Sequence, residues 1–311
     1  MTIPQNELRI AVLGAGHGGR AMAADLAARG YHVNLYNRTF EHIETIHARG
    51  GIELQLEEEQ RVFGNLQVVT SQVEEALAGA RLVMIVVPAS AHEDMACRCA
   101  PHLVDGQIVV LNPGRTGGAL EFRRVLSEQG CTADVVIAEA GTLLFASRAT
   151  GPAEARVFRR KNTVPLATLP ATRLDEALDV VQEVYPQFVG APNVLHTSFN
   201  NMGAVFHPVL TLLNAGWIER TQGDFQFYMD GVTPSTAHVL EVIDRERVTV
   251  AAALGVRAQT ALEWLATAYS ATGKNLYEAM HDNPGYQGIS APRSLRHRYI
   301  FEDVPYSLVP I

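Results

Sequence analysis

Lysine is almost missing from this 311-residue chain: it occurs only at Lys161 and Lys274, and arginine supplies the rest of the 25 basic residues. Against 33 acidic residues this leaves a formal net charge of −8. Phosphate backbones are gripped by basic patches, so no nucleic-acid partner is expected. Cysteine is scarce as well. Cys97, Cys99 and Cys131 are odd in number and lack metal-ligand spacing, which fits reduced thiols and predicts neither a disulfide framework nor a metal site. The opening Met1-Thr2-Ile3-Pro4-Gln5-Asn6-Glu7 has no basic n-region and no apolar h-region, and the longest apolar run, Leu82–Ala91, is too short to span a bilayer. A cytoplasmic protein without a membrane partner is the expectation.

What is present is alternation. At this length two domains are expected, each able to bury its own core. Short apolar runs at Leu8–Leu13, His32–Tyr36, Leu82–Val87, Gln107–Leu111 and Asp134–Ala138 read as strands, and Gly18–Arg29 and Phe40–Arg49 as amphipathic helices. Ile52–Thr70 reads as a strand pair around the acidic turn Glu57-Glu58-Glu59. The pattern predicts an α/β fold with a doubly wound, Rossmann-type parallel sheet. Strand character continues through Val157 and Val164–Leu169, a helix follows near Arg173–Tyr185, and a last strand lies near Gln187–Val189. Beyond a boundary near Pro192 the pattern turns helical, at Thr197–Gln222, Thr236–Ala253, Ala258–Ser270 and Leu276–His281, before a Gly- and Pro-rich loop at Asn283–Pro292. A nucleotide-binding domain over residues 1–192 and a mainly helical domain over 193–311 are therefore expected. The apolar ending Ser307-Leu308-Val309-Pro310-Ile311 suggests a C-terminally incomplete second domain, since exposed termini are usually polar.

The first strand runs into Gly14-Ala15-Gly16-His17-Gly18-Gly19, a G-x-G-x-x-G match followed by a helical pattern. In that context Gly14 makes the tight turn, Gly16 lets the backbone approach a pyrophosphate, and Gly19 lets the helix pack on the strand. The helix N-terminus then offers N–H donors to the phosphates. At the end of the second strand, where an acid would meet the ribose hydroxyls of NAD, the chain has Asn37-Arg38-Thr39. A neutral residue followed by arginine suits a 2′-phosphate, so NADPH is expected over NADH, with NADH possible. Val87-Pro88 and the run Asn112-Pro113-Gly114-Arg115 follow later strands, where ligands of open sheets bind, and they are expected to border the cofactor.

In the second half His207-Pro208 interrupts an apolar helical pattern, so the helix is expected either to kink or to restart with Pro208 at its first position. Asn200 and Asn214, a heptad to either side, would share the face of His207. Taken alone, a histidine on an apolar helix is more often a satisfied core residue than a catalyst. The other polar concentration is Arg296-His297-Arg298-Tyr299 with Glu302-Asp303. A proton-shuttling histidine needs a carboxylate and a carboxylate substrate wants arginine, but spacing alone cannot pair them. Tyr228 and Trp264 read as core residues.

Taken together, the residues resemble the octopine and opine dehydrogenases, most closely the bacterial N-(1-carboxyethyl)norvaline dehydrogenase type, from residue 8 to the end. The likeness rests on Gly14–Gly19, Asn112–Phe122, Asn193–Ser198 with Asn201 and His207-Pro208, Leu212–Ala215, Gly231–Ser235 and Arg298–Val304. The resemblance implies that His207 is the acid/base histidine, Asp303 its partner, and Arg298, with Asn201, a substrate contact. It implies condensation of a 2-oxo acid such as pyruvate with an amino acid, followed by hydride transfer to the imine carbon, in an enzyme expected to be a homodimer. Asn37-Arg38 departs from the NAD-preferring members. Ketopantoate reductases and β-hydroxyacid dehydrogenases share the layout, but they place a lysine early on the first long helix of the second domain, where this chain has none. A non-catalytic dinucleotide-binding sensor is the alternative of another class; it would need no convergence of His207, Arg298 and Asp303.

Overall fold

The computed structural model describes residues 8–56 and 60–311, so the acidic turn expected at Glu57–Glu59 lies outside the described residues. The chain divides into two compact units, the first ending at Thr197 and the second running from Ser198 to Ile311.

In the first unit, β1 (Arg9–Leu13), α1 (His17–Ala28) and β2 (His32–Tyr36) form the opening βαβ, as the apolar periodicity predicts. α2 (Glu44–Arg49) covers only the second half of the helix expected over Phe40–Arg49. A 3₁₀ turn over Phe40–His42 precedes it. Then come β3 (Gly51–Gln55), β4 (Arg61–Asn65), β5 (Val68–Thr70), α3 (Val73–Leu77), β6 (Leu82–Ile85), α4 (His92–Cys99), β7 (Ile108–Leu111), α5 (Gly118–Glu128) and β8 (Val136–Ala140). The unit closes with β9 (Phe145–Gly151), β10 (Glu154–Arg160), β11 (Val164–Leu169), α6 (Leu174–Val184) and β12 (Phe188–Gly190), and α7 (Val194–Phe199) follows.

Eight strands form the main sheet in the order β12-β11-β8-β7-β6-β1-β2-β5. Six of them, β8 through β5, are mutually parallel, whereas β11 lies antiparallel to β8 and carries β12 with it. The sheet is thus mixed at one side where a parallel one was expected. Successive side chains of a strand face opposite sides. Ile10, Val12, Leu82, Met84, Ile108 and Val110 accordingly fill one core, and Ala11, Leu13, Val83, Ile85, Val109 and Leu111 the other. Both faces are apolar because helices cover both. The strand pair expected in Ile52–Thr70 joins a second four-stranded sheet, β4-β3-β10-β9, which periodicity did not reveal. The order reverses at β1: the chain proceeds to β2 on one side and later to β6 on the other, leaving a crevice at their carboxyl ends.

The second unit is helical: α8 (Met202–Leu213), α9 (Ala215–Thr221), α10 (Pro234–Ala253), α11 (Ala261–Tyr269), α12 (Leu276–Asp282) and α13 (Arg298–Phe301). The single helix expected over Thr197–Gln222 is three pieces, broken at Asn200-Asn201 and Asn214 and not at Pro208. Pro208 sits inside α8, so of the two expected outcomes the helix does not restart there. Capping boxes fix the starts of α10, through Thr233 and Thr236, and of α11, through Thr260 and Glu263. A buried Arg247–Asp244 pair cinches the unit: Arg247 donates to the carbonyls of Phe199 and Gln259, while Asp244 accepts from the Ala261 N–H. Tyr228 is buried in the core and Trp264 packs against it, as expected.

Candidate active site

The glycine loop leaves β1 with Gly14 at φ +113°, a conformation L side chains rarely adopt. A Cβ on Gly14 would fall 2.4 Å from the Val86 carbonyl oxygen and 2.7 Å from Val87 Cγ1, so the end of β6 presses against the turn. At Gly19 a Cβ would lie 1.7 Å from the Gly14 carbonyl oxygen, the close helix–strand approach the motif predicts. Above Gly16 there is nothing within 4 Å. No side chain of the N-cap residue caps α1, which starts beside that open space. This geometry fits a dinucleotide pyrophosphate.

Neighbouring groups fix the loop. The Asn37 Oδ1 accepts from the Ala15 N–H at 3.2 Å, and its Nδ2 donates to the Thr39 carbonyl at 2.9 Å. His17 Nδ1 accepts from the Ala149 N–H at 2.9 Å, which ties the loop to β9. Arg20, which is not among the residues expected from the sequence, donates to the Ala15, Gly151 and His42 carbonyls at 2.8, 2.8 and 2.9 Å. Its signal was a lone charge in the otherwise small-residue start of α1. Arg38 is largely exposed and reaches Asp94 at 3.4 Å, where Arg98 also donates at 2.9 Å. Those two arginines, Arg98 foremost, hold the Asp94 carboxyl below its ordinary pKa despite some burial.

Past β6, Pro88 opens the short turn Ala89–Ala91 into α4. Past β7, Asn112 is buried; its Nδ2 donates to the Val110 carbonyl at 2.9 Å, while its Oδ1 has no hydrogen-bond partner among the described residues. An orphaned acceptor at a strand's carboxyl end fits a ligand amide such as that of a nicotinamide. Gly114 is required by packing, since its Cβ would meet Glu139 Cβ at 2.5 Å. Glu139, which no local pattern in the sequence marks, is fully buried. It accepts from the Ala119 N–H at 2.8 Å and from the Thr197 hydroxyl at 2.5 Å. Nearby His92 is buried with an Nε2 that has no partner among the described residues, and burial, aided by the charge of Arg115, lowers its pKa to about 4.

The second unit brings His207 and Asp303 together, 96 residues apart in sequence. His207 Nδ1 lies 2.8 Å from Asp303 Oδ2, with the carboxylate wholly buried and the imidazole partly open. α13 and the π-helical turn at Val304–Leu308 place the aspartate: its N–H donates to the Arg298 carbonyl and its own carbonyl accepts from Leu308. Tyr299 stacks on the imidazole, centroids 4.0 Å apart and planes 19° apart, and is itself backed by Phe227 at 5.3 Å. Arg298 is exposed one residue away, its guanidinium 5.8 Å from the Tyr299 ring centre, with no carboxylate within salt-bridge distance among the described residues. His297 also faces this group; burial first, then Arg298 and His207, lower its pKa. Asn201 is buried and donates to the Ser307 hydroxyl at 2.9 Å, so its amide ties the start of α8 to the turn after Asp303. The expected polar face around His207 is not formed by Asn200 and Asn214. Asn200 accepts from the Gln259 N–H, and Asn214 donates to the Leu210 and Gly231 carbonyls.

Residues 190–311 match the family described as "NAD/NADP octopine/nopaline dehydrogenase, alpha-helical domain", and residues 9–114 the NAD binding domain of 6-phosphogluconate dehydrogenase. The opine dehydrogenase of Arthrobacter sp. (strain 1C) is 40% identical over 303 residues, covering 97% of this chain and 83% of that protein. Among solved structures, octopine dehydrogenase with NADH and L-arginine superposes with a TM-score of 0.80 at 21% identity, covering 97% of this chain and 83% of the other. Yersinopine dehydrogenase bound to NADP⁺ gives 0.76 at 16% identity, covering 93% and 79%. The glycine loop on a switch-point strand, the histidine–aspartate pair on the helical unit and the 40% relative agree: this chain belongs to the opine dehydrogenase family of NAD(P)-dependent oxidoreductases.

Proposed function

We propose that the protein joins a 2-oxo acid such as pyruvate to the amino group of an L-amino acid, with NADPH as the preferred reductant. The observation that carries this reading is the His207 Nδ1 to Asp303 Oδ2 contact of 2.8 Å, made by a buried carboxylate to a partly open imidazole. The relatives support it, since a structure of octopine dehydrogenase contains NADH and L-arginine and another contains NADH and pyruvate.

The chemistry requires one proton at a defined place. The amine attacks the ketone carbon, the carbonyl oxygen leaves as water, and the resulting C=N carbon takes up a hydride to give a secondary amine. When bound, the dinucleotide supplies that hydride, and the residues that would hold it are Gly14–Gly19, Asn37–Thr39, Val87, Pro88, Asn112 and Gly114. With Nδ1–H held by Asp303, His207 would exchange a proton with the departing oxygen through Nε2, and the buried carboxylate stabilises the imidazolium formed in the reverse transfer. Tyr299 fixes the imidazole plane by stacking. Arg298, exposed and without a carboxylate in reach among the described residues, suits a substrate carboxylate. Asn201 acts through the position of α8.

Preference for NADPH rests on Arg38. Its 3.4 Å pair with Asp94 is exposed and weak, so the guanidinium can turn to a 2′-phosphate. The test of the catalytic assignment is His207→Ala. Turnover is expected to fall by about 10²- to 10⁴-fold while NADPH affinity stays unchanged. Retained turnover would leave a dinucleotide-binding protein whose histidine is structural.

A further inference from the structure

Of the two lysines in the chain, Lys161 is the one the fold draws inward. It follows β10, and its N–H is anchored to the Leu144 carbonyl at 3.0 Å. Its Nζ donates to the Thr142 hydroxyl at 2.6 Å, and among the described residues no carboxylate lies within 4.0 Å of it. Several surface arginines do have carboxylate partners, as Arg61 has Glu53, Arg124 has Glu121 and Glu128, and Arg173 has Glu176. Burial, reinforced by the like charge of Arg115, brings the Lys161 ammonium down to about 8. A half-buried cation given a hydroxyl but no counter-charge costs stability, and such arrangements persist where a ligand supplies the missing charge.

Topology says where this cation sits. β8 ends at Ala140, and Thr142 lies two residues beyond that carboxyl end. β11 runs antiparallel to β8, with Leu166 opposite Ala140, so the residues leading into β11 return to the same edge. The Gly141 N–H bonds the Pro165 carbonyl at 2.9 Å, which closes the two segments together. Arg115 follows β7 at that edge, and the orphaned Asn112 Oδ1 is there too. In the order β8-β7-β6-β1 the end of β8 is three strands from the glycine loop, about 14 Å at the usual strand spacing. A pyrophosphate belongs at the start of α1. An anion near β7 and β8 belongs to what reacts with the nicotinamide.

We propose that Lys161 and Thr142 form a carboxylate-binding site for the 2-oxo acid on the nucleotide-binding unit. The ammonium supplies the counter-charge and the hydroxyl orients it, while Arg115 adds positive potential at the same edge. The proposal rests on the reductive-coupling reading for the identity of the anion, but not for its existence. It also gives a role to the one inward lysine of a chain that otherwise relies on arginine.

The experiment measures two affinities on the full chain: NADPH by fluorescence titration, and pyruvate by calorimetry on the protein saturated with NADP⁺. Lys161→Met is expected to weaken pyruvate by about 10- to 100-fold and to leave NADPH within about twofold, with Lys161→Arg intermediate. Thr142→Val removes only the hydroxyl and is expected to weaken pyruvate alone, so it decides the matter should Lys161→Met fail to fold. Unchanged pyruvate affinity in both variants, or no pyruvate binding by the parent protein, overturns the proposal. So does a loss confined to NADPH, which would assign the lysine to the dinucleotide phosphates. Lysine-dependent pyruvate binding without turnover on any amino acid would leave this site standing and remove the coupling reaction.

Discussion

Alanine at Gly16 and alanine at Gly19 are expected to fail in opposite ways. Gly16 has φ −73° and ψ −167°, which any residue adopts, and nothing lies within 4 Å of an added Cβ. Gly16→Ala should therefore fold normally and gain up to about 1 kcal/mol from a less flexible unfolded chain. Under the proposed cofactor placement, the methyl would instead occupy the space through which a pyrophosphate reaches the α1 N–H groups. Loss of that approach is expected to weaken NADPH by about 10²-fold, or about 2.7 kcal/mol. At Gly19 the added Cβ would stand 1.7 Å from the Gly14 carbonyl oxygen, about 1.3 Å inside the closest real approach. Neither partner is a flexible side-chain end, so α1 must move off β1. A cost of about 3 kcal/mol or more is expected, outweighing the roughly 1 kcal/mol that alanine gains over glycine in a helix. Urea unfolding gives the stabilities and fluorescence titration the affinities. If Gly16→Ala bound NADPH like the parent, the pyrophosphate would not pass over Gly16; if Gly19→Ala equalled the parent in stability, the helix–strand contact would not be the tight one described.

Three further outcomes are expected. Asp303→Asn removes the charge that orients His207, and kcat should fall by about 10²- to 10⁴-fold with cofactor affinity unchanged, as steady-state and binding measurements would show. Arg38→Ala should lower the NADPH-to-NADH ratio of kcat/KM by about tenfold or more, and an unchanged ratio would remove Arg38 from 2′-phosphate recognition. His92 stays neutral in the folded protein down to about pH 4, whereas in the unfolded chain it takes a proton near 6.5. Its contribution is thus complete above 6.5 and is lost as pH falls from there toward 4. Between pH 7.5 and 5 this is about 2 kcal/mol, which His92→Gln should abolish in urea melts at the two pH values.

The nucleotide half was legible because its signals are local. The strand Leu8–Leu13, the glycine spacing and the following helix lie in one stretch, and Gly14 and Gly19 stand where backbone sterics require them. Glu139 and Thr197, joined across 58 residues, carry no local mark, and neither does the second sheet, whose strands come from two separated segments. His207 and Asp303 could be coupled only through resemblance, because spacing says nothing about a turn 96 residues away. Of the two outcomes open at Pro208, a restart does not occur, and the reason is physical. Proline usually breaks a helix, but α8 is held by Val205, Phe206, Val209 and Leu210 in an apolar core, and packing overrides the lost hydrogen bond. Asn200 and Asn201 supplied the real break, through side chains that bond elsewhere.

The most direct test of the reaction is NADPH oxidation by the purified protein with pyruvate, with and without a panel of L-amino acids, and with the product identified by mass. Oxidation that requires both partners and yields the secondary amine is the expected result. Oxidation by the 2-oxo acid alone, giving a hydroxy acid, would rule out reductive coupling as the activity.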